Sequence, residues 1–182
     1  MIYVFLAPGF EEIEALAVVD VLRRAELDVL TVGVGEDFII GSHQIPVACD
    51  IPEKALVLDD KVDAIVLPGG MPGTLNLEKS ATVQKAIDWA IENEKLVCAI
   101  CAAPSILGHK GLLDGKNATC FPGFEEELFG ATVVKDFVVK DDNIITAKGM
   151  GSAIEFGLQI AEVLTNPLEV KKIRASLQIF NG

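Results

Sequence analysis

Lys95-Leu96-Val97-Cys98-Ala99-Ile100-Cys101-Ala102-Ala103-Pro104-Ser105-Ile106-Leu107 is the most informative run in the chain. Its first half is a nearly unbroken apolar run, the pattern of a strand buried on both faces of a parallel sheet. Its second half opens a helix: small residues, then Pro104 where a first-turn proline is tolerated. Cys101 sits between the two. A strand that turns at once into a helix, with small neighbours around a Cys or Ser, is a nucleophile elbow, here with alanines where glycines are commoner. Such a turn lifts the side chain off the carboxyl edge of the sheet. The amides opening the helix favour a thiolate and can hold an oxyanion. The competing reading is a small buried hydrophobe, a common fate of free cysteine. This stretch alone leaves both open.

Working outward, residues 62–67 form another buried strand, stopped by Pro68-Gly69-Gly70-Met71-Pro72-Gly73. Residues 81–93 predict an amphipathic helix with Val83, Ala86, Ile87 and Ala90 on one stripe. The amino-terminal part reads as strand 1–7, helix 11–25 and strand 27–34, a parallel crossover unit. Residues 37–49 look like a small hairpin, with Gly41 in the turn and Pro46 confining its strand to an edge. Downstream, the helix after Cys101 runs to about His109. A brief strand over 118–120 and a helical turn over 124–129 follow. Strands over 132–139 and 143–147 flank a Lys140-Asp141-Asp142 turn. Gly149-Met150-Gly151 introduces a helix over 152–164, Asn166-Pro167 breaks the chain, and 168–177 is a last helix. With no repeat, low-complexity tract or linker, one α/β domain over 1–182 is expected, its sheet mostly parallel with helices on both faces.

Composition narrows the function. A chain of 182 residues, 51% hydrophobic and 6% aromatic, suits an α/β core. A net charge of −12 argues against nucleic acid as the main partner, because duplex affinity rests on cationic side chains. Cys49, Cys98, Cys101 and Cys120 are too few and too scattered for a secreted disulfide framework. The first residues lack a basic leader, and the longest apolar run is too short to cross a bilayer. A reducing cytoplasm is the expected compartment. Cys98 and Cys101 do not form a redox pair, since three extended residues separate their α-carbons by roughly 10 Å. His43 and His109 are isolated in sequence and no second cysteine pair completes a tetrahedral set, so no metal and no cofactor is expected. His109 reads as a helix C-terminal cap, and Cys49 as structural.

Three further features fall near the same sheet edge. Glu14 shares a helical stripe with Ala17, Val18, Val21, Leu22 and Ala25, which should face the sheet. A carboxyl there is desolvated and able to keep its proton, a general acid/base candidate; the alternative is a rim position from which it reaches solvent. Glu11 and Glu12 are explained as acids near a helix N-terminus. Gly69-Gly70 follows a strand end, where glycine lets backbone amides approach a bound group, or simply makes a tight turn. Gly149-Met150-Gly151 has the same two readings. Cys120 precedes a loop and is a candidate for exposure.

These motifs together resemble the ThiJ/PfpI superfamily, and within it the parkinsonism-associated deglycase branch. The stretches are Ala7-Pro8-Gly9-Phe10-Glu11-Glu12-Ile13-Glu14-Ala15, Val19-Asp20-Val21-Leu22-Arg23-Arg24-Ala25, Leu67-Pro68-Gly69-Gly70-Met71-Pro72-Gly73, Ala99-Ile100-Cys101-Ala102-Ala103-Pro104 and Gly149-Met150-Gly151-Ser152. The resemblance spans essentially the whole chain. It implies a flavodoxin-like three-layer sandwich, a homodimer, and Cys101 as a reactive thiol. It further implies that Glu14 hydrogen-bonds the sulfur, and that the Gly70 and Ala102 amides form an anion pocket. Gly69, Phe121 and Cys120 are the remaining pocket candidates.

Activities ascribed to the family are glutathione-independent glyoxalase action, deglycation of methylglyoxal adducts, oxidative-stress sensing and chaperone behaviour. The expected substrate is therefore a small reactive carbonyl or a glycated group. The alternative is a non-catalytic sensor whose Cys101 is oxidised to sulfinate. Two positions depart from the family. Phe121 stands in the loop where many members carry a histidine near the cysteine, and cannot move a proton. His43 stands where relatives place an arginine near the dimer contact. Ala102 replaces the histidine that follows the nucleophile in peptidase members, which argues against proteolysis.

Overall fold

The structure, a computed structural model, describes residues 1–179. Its amino-terminal half runs β1 (Ile2–Leu6), α1 (Glu12–Arg24), β2 (Val29–Gly33), β3 (Phe38–Ile40), β4 (Pro46–Ala48), β5 (Ile51–Pro52), β6 (Ala64–Leu67), α2 (Gly73–Lys79) and α3 (Ala81–Glu92). The carboxyl-terminal half runs β7 (Leu96–Ile100), α4 (Pro104–His109), β8 (Asn117–Ala118), β9 (Thr132–Val133), β10 (Val138–Asp141), β11 (Ile144–Ala147), α5 (Ala153–Leu164) and α6 (Pro167–Ser176). The main sheet has the order β10-β11-β7-β6-β1-β2-β5, parallel except for the antiparallel edge strand β10. β3 and β4 form a separate antiparallel hairpin, and β8 and β9 a short parallel pair.

Alternate residues of the central strands supply two apolar layers, as a period of two requires. Val4, Leu6, Cys98 and Ile100 face α1 and α5; Tyr3, Phe5, Val97 and Ala99 face α3 and α4. This is the three-layer α/β sandwich expected from the sequence. Gly157 lets α5 lie close on α1, since a Cβ there would stand 3.1 Å from Val21 Cβ. Among the described residues no helix is long and apolar enough to cross a membrane.

Several elements differ from the sequence expectation. The strand expected over 132–139 is two strands in different sheets. Residues 135–137 are exposed between them, and the chain changes partner there. The hairpin turn falls after Asp141, whose carboxylate is tied to the Asn117 backbone N–H at 2.8 Å and keeps the strand going. The brief strand lies at Asn117–Ala118, and α2 and β5 carried no periodicity long enough to read.

The histidines are not isolated. His43 Nδ1 lies 2.9 Å from Glu12, which is 4% exposed and also accepts from the His43 backbone N–H at 2.7 Å. Burial works to raise the Glu12 carboxyl, but these hydrogen bonds outweigh it and hold it below the usual range. Glu12 is thus an anchor for the β3–β4 turn as well as an acid in the first turn of α1. His109 is not a plain cap either. Its two ring nitrogens face Glu78 from α2 and Glu127 from the turn after β8. Those two hydrogen bonds raise its pKa, Glu78 more than Glu127. The folded state therefore binds the proton more tightly. The stabilisation is complete below the unfolded value of about 6.5 and is lost as pH rises through the higher folded value. His109→Gln should cost about 1 kcal/mol in urea unfolding at pH 5.5 and close to nothing at pH 9.

Candidate active site

Four adjacent strands, β11, β7, β6 and β1, deliver the site at their carboxyl ends, where doubly wound sheets hold their ligands. β7 ends at Ile100 and Cys101 follows at φ +67°, the left-handed conformation that a non-glycine residue adopts at a cost of about 1–2 kcal/mol. Cys101 N–H donates to Ala147 O at 2.9 Å, and its carbonyl accepts from Phe121 N–H at 2.8 Å. Backbone pairing on both sides fixes the strained turn. Pro104 opens α4 at its first turn.

Glu14 reaches this point from α1. Glu11 caps that helix, its carboxylate accepting from Glu14 N–H at 2.7 Å, while Glu11 N–H donates to Gly69 O at 2.9 Å. Helix and β6 loop are thereby clamped together. Glu14 is 1% exposed, so it is not a rim residue. Its Oε2 accepts from Gly69 N–H at 3.0 Å, and the Cys101 thiol and the Met150 amide lie close enough to favour its charged form. Gly69 must be glycine, because a Cβ there would lie 2.6 Å from both Cys101 Cβ and Glu14 Oε2.

Burial raises the Glu14 pKa to about 7; the bonds from Cys101, Gly69 and Met150 oppose it. Burial, then the Glu14 charge and hydrogen bond, push the Cys101 thiol up to about 12, against the amides of Gly70 and Ala102. The thiol that the helix-end amides were expected to acidify is thus weakened by a larger desolvation. The two groups nevertheless act as a pair: its first proton leaves at about 7, and the proton that remains sits mainly on sulfur, which holds it to about 12. With that proton on Glu14, the same hydrogen bond stabilises a thiolate.

The sequence profile of the DJ-1/PfpI family matches residues 1–163. The chain belongs to this family. Protein dj-1beta of Drosophila melanogaster is 37% identical over 179 residues, covering 97% of this chain and 95% of that protein. The Caenorhabditis elegans protein named glutathione-independent glyoxalase DJR-1.2 is 34% identical over 166 residues, covering 86% of this chain and 84% of its own. The structure titled Toxoplasma gondii DJ-1, oxidized, has a TM-score of 0.92 at 35% identity and covers 97% of each chain. The family resemblance read from the motifs is therefore met.

In this DJ-1/PfpI protein a cavity of about 290 Å³ is lined by Phe121, Pro122, Phe137, Lys148 and residues 149–152, with Glu14 and Cys101 themselves outside its lining. A Cβ on Gly149 would lie 3.2 Å from the Phe121 ring and 3.8 Å from Glu14 Oε1, so cavity and carboxyl share that wall. Phe121 lines this space. Gly69 does not: it is buried, and its amide is spent on Glu14. Cys120 is 2% exposed, not accessible, and lines a neighbouring cavity of about 190 Å³. All four cysteines are free. The amide of Met150 escaped sequence reading because a backbone donor has no residue-type signal; only the Gly149-Met150-Gly151 pattern hinted at it.

Proposed function

We propose that this chain is a cofactor-free, cysteine-dependent enzyme of glyoxalase or deglycase type, acting on methylglyoxal-like dicarbonyls or their adducts. The observation that carries this reading is the Glu14 carboxyl, 1% exposed and packed with the Cys101 side chain around Gly69, beside the Gly70 and Ala102 amides that favour a charged sulfur. Cys101 Sγ adds to the aldehyde carbon while its proton passes by way of the Glu14 carboxylate to the new oxyanion held by the amides, which leaves a neutral hemithioacetal and Glu14 a carboxylate again. Glu14 then removes the proton on that carbon and returns it to the adjacent carbon, while the hydroxyl proton crosses to the neighbouring oxygen. This turns the hemithioacetal of a 2-oxoaldehyde into the thioester of a 2-hydroxy acid. Water cleaves the thioester, freeing lactate from methylglyoxal and restoring the thiol. The net change is addition of one water, with no external oxidant. Phe121 gives no proton, so Glu14 carries each transfer. The glyoxalase name of the C. elegans relative supports the reaction class.

The proposal extends to a single domain over 1–182, a cytoplasmic location and a homodimer. Ile13 and Leu16 on α1, 50% and 37% exposed, and Ile40 and Ile45 on the hairpin, each 51% exposed, offer an apolar face for a second copy. The purified protein should convert methylglyoxal to lactate without glutathione. No lactate above that of Cys101→Ser rejects the enzyme. The second reading, a redox sensor, is favoured by the amide pair and protonated Glu14, which would also stabilise a Cys101 sulfinate. Intact-mass measurement after mild peroxide, showing two oxygens on Cys101 with negligible turnover, would select it.

A further inference from the structure

The cavity that shares its Gly149 wall with Glu14 has an uneven chemistry. Its walls are the rings of Phe121 and Phe137, Pro122 and the 149–152 segment, and its one charged lining side chain is Lys148. No Asp or Glu lines it, although the chain carries a net charge of −12. Lys148 is half-buried and makes no ion pair among the described residues. Its Nζ donates to Lys135 O at 3.1 Å and lies 5.4 Å above the Phe137 ring. An ammonium has three donors, so two remain for a ligand, and a ring beneath it holds the cation without neutralising it. Lys148 also reaches the neighbouring cavity, where burial and then the Glu125 charge push the Cys120 thiol up to about 11 and the Lys148 charge opposes them. Glu125 lines that second cavity, but it forms no ion pair with Lys148 and accepts from Gly123 N–H at 2.7 Å.

An unneutralised cation at the wall of a small, otherwise apolar cavity is a complement to an anion on a short carbon chain. We propose that Lys148 seats an anionic group, a carboxylate or a phosphate, of the carbonyl compound whose reacting carbon meets Cys101. This deepens the enzyme reading and rests on it. The backbone places the residue well: Lys148 is the first residue after β11, and a Cβ on the next residue, Gly149, would lie 3.8 Å from Glu14 Oε1. Neutral methylglyoxal would then be accepted without the contact that selects among carbonyl substrates.

Two alkylating reagents of nearly equal size test the charge. Cys101 is treated with iodoacetate and with iodoacetamide, and the ratio of the two rates is taken within each variant, which cancels changes in thiol reactivity. Lys148→Gln should lower the ratio about fivefold, Lys148→Arg should keep it within about twofold, and 0.5 M salt should lower it in the parent chain. A ratio unchanged by Lys148→Gln overturns the proposal. If Cys101 reacts with neither reagent, the enzyme reading fails, and Lys148 is read by amide NMR instead. Saturable shifts of the Gly149, Met150 and Gly151 amides on adding acetate or inorganic phosphate, lost in Lys148→Gln, sustain an anion site. Tighter binding of acetate assigns a carboxylate, and tighter binding of phosphate a phosphate. No saturable shift in the parent chain overturns the site.

Discussion

Cys101→Ser should form lactate from methylglyoxal at least about 10³-fold more slowly than the parent chain, and Glu14→Gln about 10²–10³-fold more slowly. Serine keeps the geometry but is far harder to ionise beside a carboxyl that is itself at about 7. Glutamine keeps the volume of Glu14 but can accept no proton. The pH dependence follows from the pair. Below about 7 it holds two protons, with neither a base nor a thiolate present. Losing the first creates the reactive state, whichever atom keeps the second. Both kcat/KM and the iodoacetamide rate at Cys101 should therefore rise through about pH 7 and level off above it. Glu14→Gln should shift the alkylation limb to higher pH, because the remaining thiol is still buried.

Stability should move the opposite way. The Glu14 carboxyl titrates near 4.5 when unfolded and at about 7 when folded, so the folded state holds the extra proton across that window. Stability contributed by the bound proton is full below the lower value and lost as pH rises to the higher one. By linkage this amounts to about 3 kcal/mol. Urea unfolding of Glu14→Gln between pH 4.5 and 8 should lack that slope. A slope unchanged by the substitution would remove Glu14 from the account.

Gly70→Ala should be the most destabilising single change at the site, by about 4 kcal/mol or more. Its backbone has φ +89°, and a Cβ there would stand 2.4 Å from Glu11 N, 2.7 Å from Gly9 O and 2.7 Å from Phe10 C. Backbone atoms cannot rotate aside as a flexible side chain can, so the loop after β6 must shift away from α1. Activity should fall with stability, because the Gly70 amide that points at sulfur moves with the loop. Gly111→Ala is the control. Gly111 has φ +70° but no atom within 4 Å of its added Cβ, so only the backbone term of about 1 kcal/mol applies. Equal losses in urea unfolding would show that the contacts around Gly70 are not the cause.

The contrast between those two glycines shows where sequence reading stops. Both look like turn residues, and only the spatial neighbours separate them. The same holds for the acids of α1. Glu11, Glu12 and Glu14 fall within four positions, yet one caps the helix, one anchors a hairpin turn from its buried carboxyl, and one faces sulfur. Periodicity placed Glu14 on the inward stripe, because helical spacing is a local property. It could not foresee the burial of Glu12, which depends on a loop 31 residues away. His109 misled for the same reason, since its carboxylate partners come from distant segments.

What the chain's order of residues settled was the crossover pattern, the sharp turn at Cys101 and the family, since each is written in local apolar periods and in motifs of fixed spacing. Tertiary structure alone decided which proton the site holds. Burial of thiol and carboxyl together outweighed the helix amides, and desolvation depends on every atom packed around a group rather than on its neighbours in the chain. Lys148 belongs to the same class: an ordinary lysine in sequence becomes the one cation at a cavity wall only when β11 is laid beside β7.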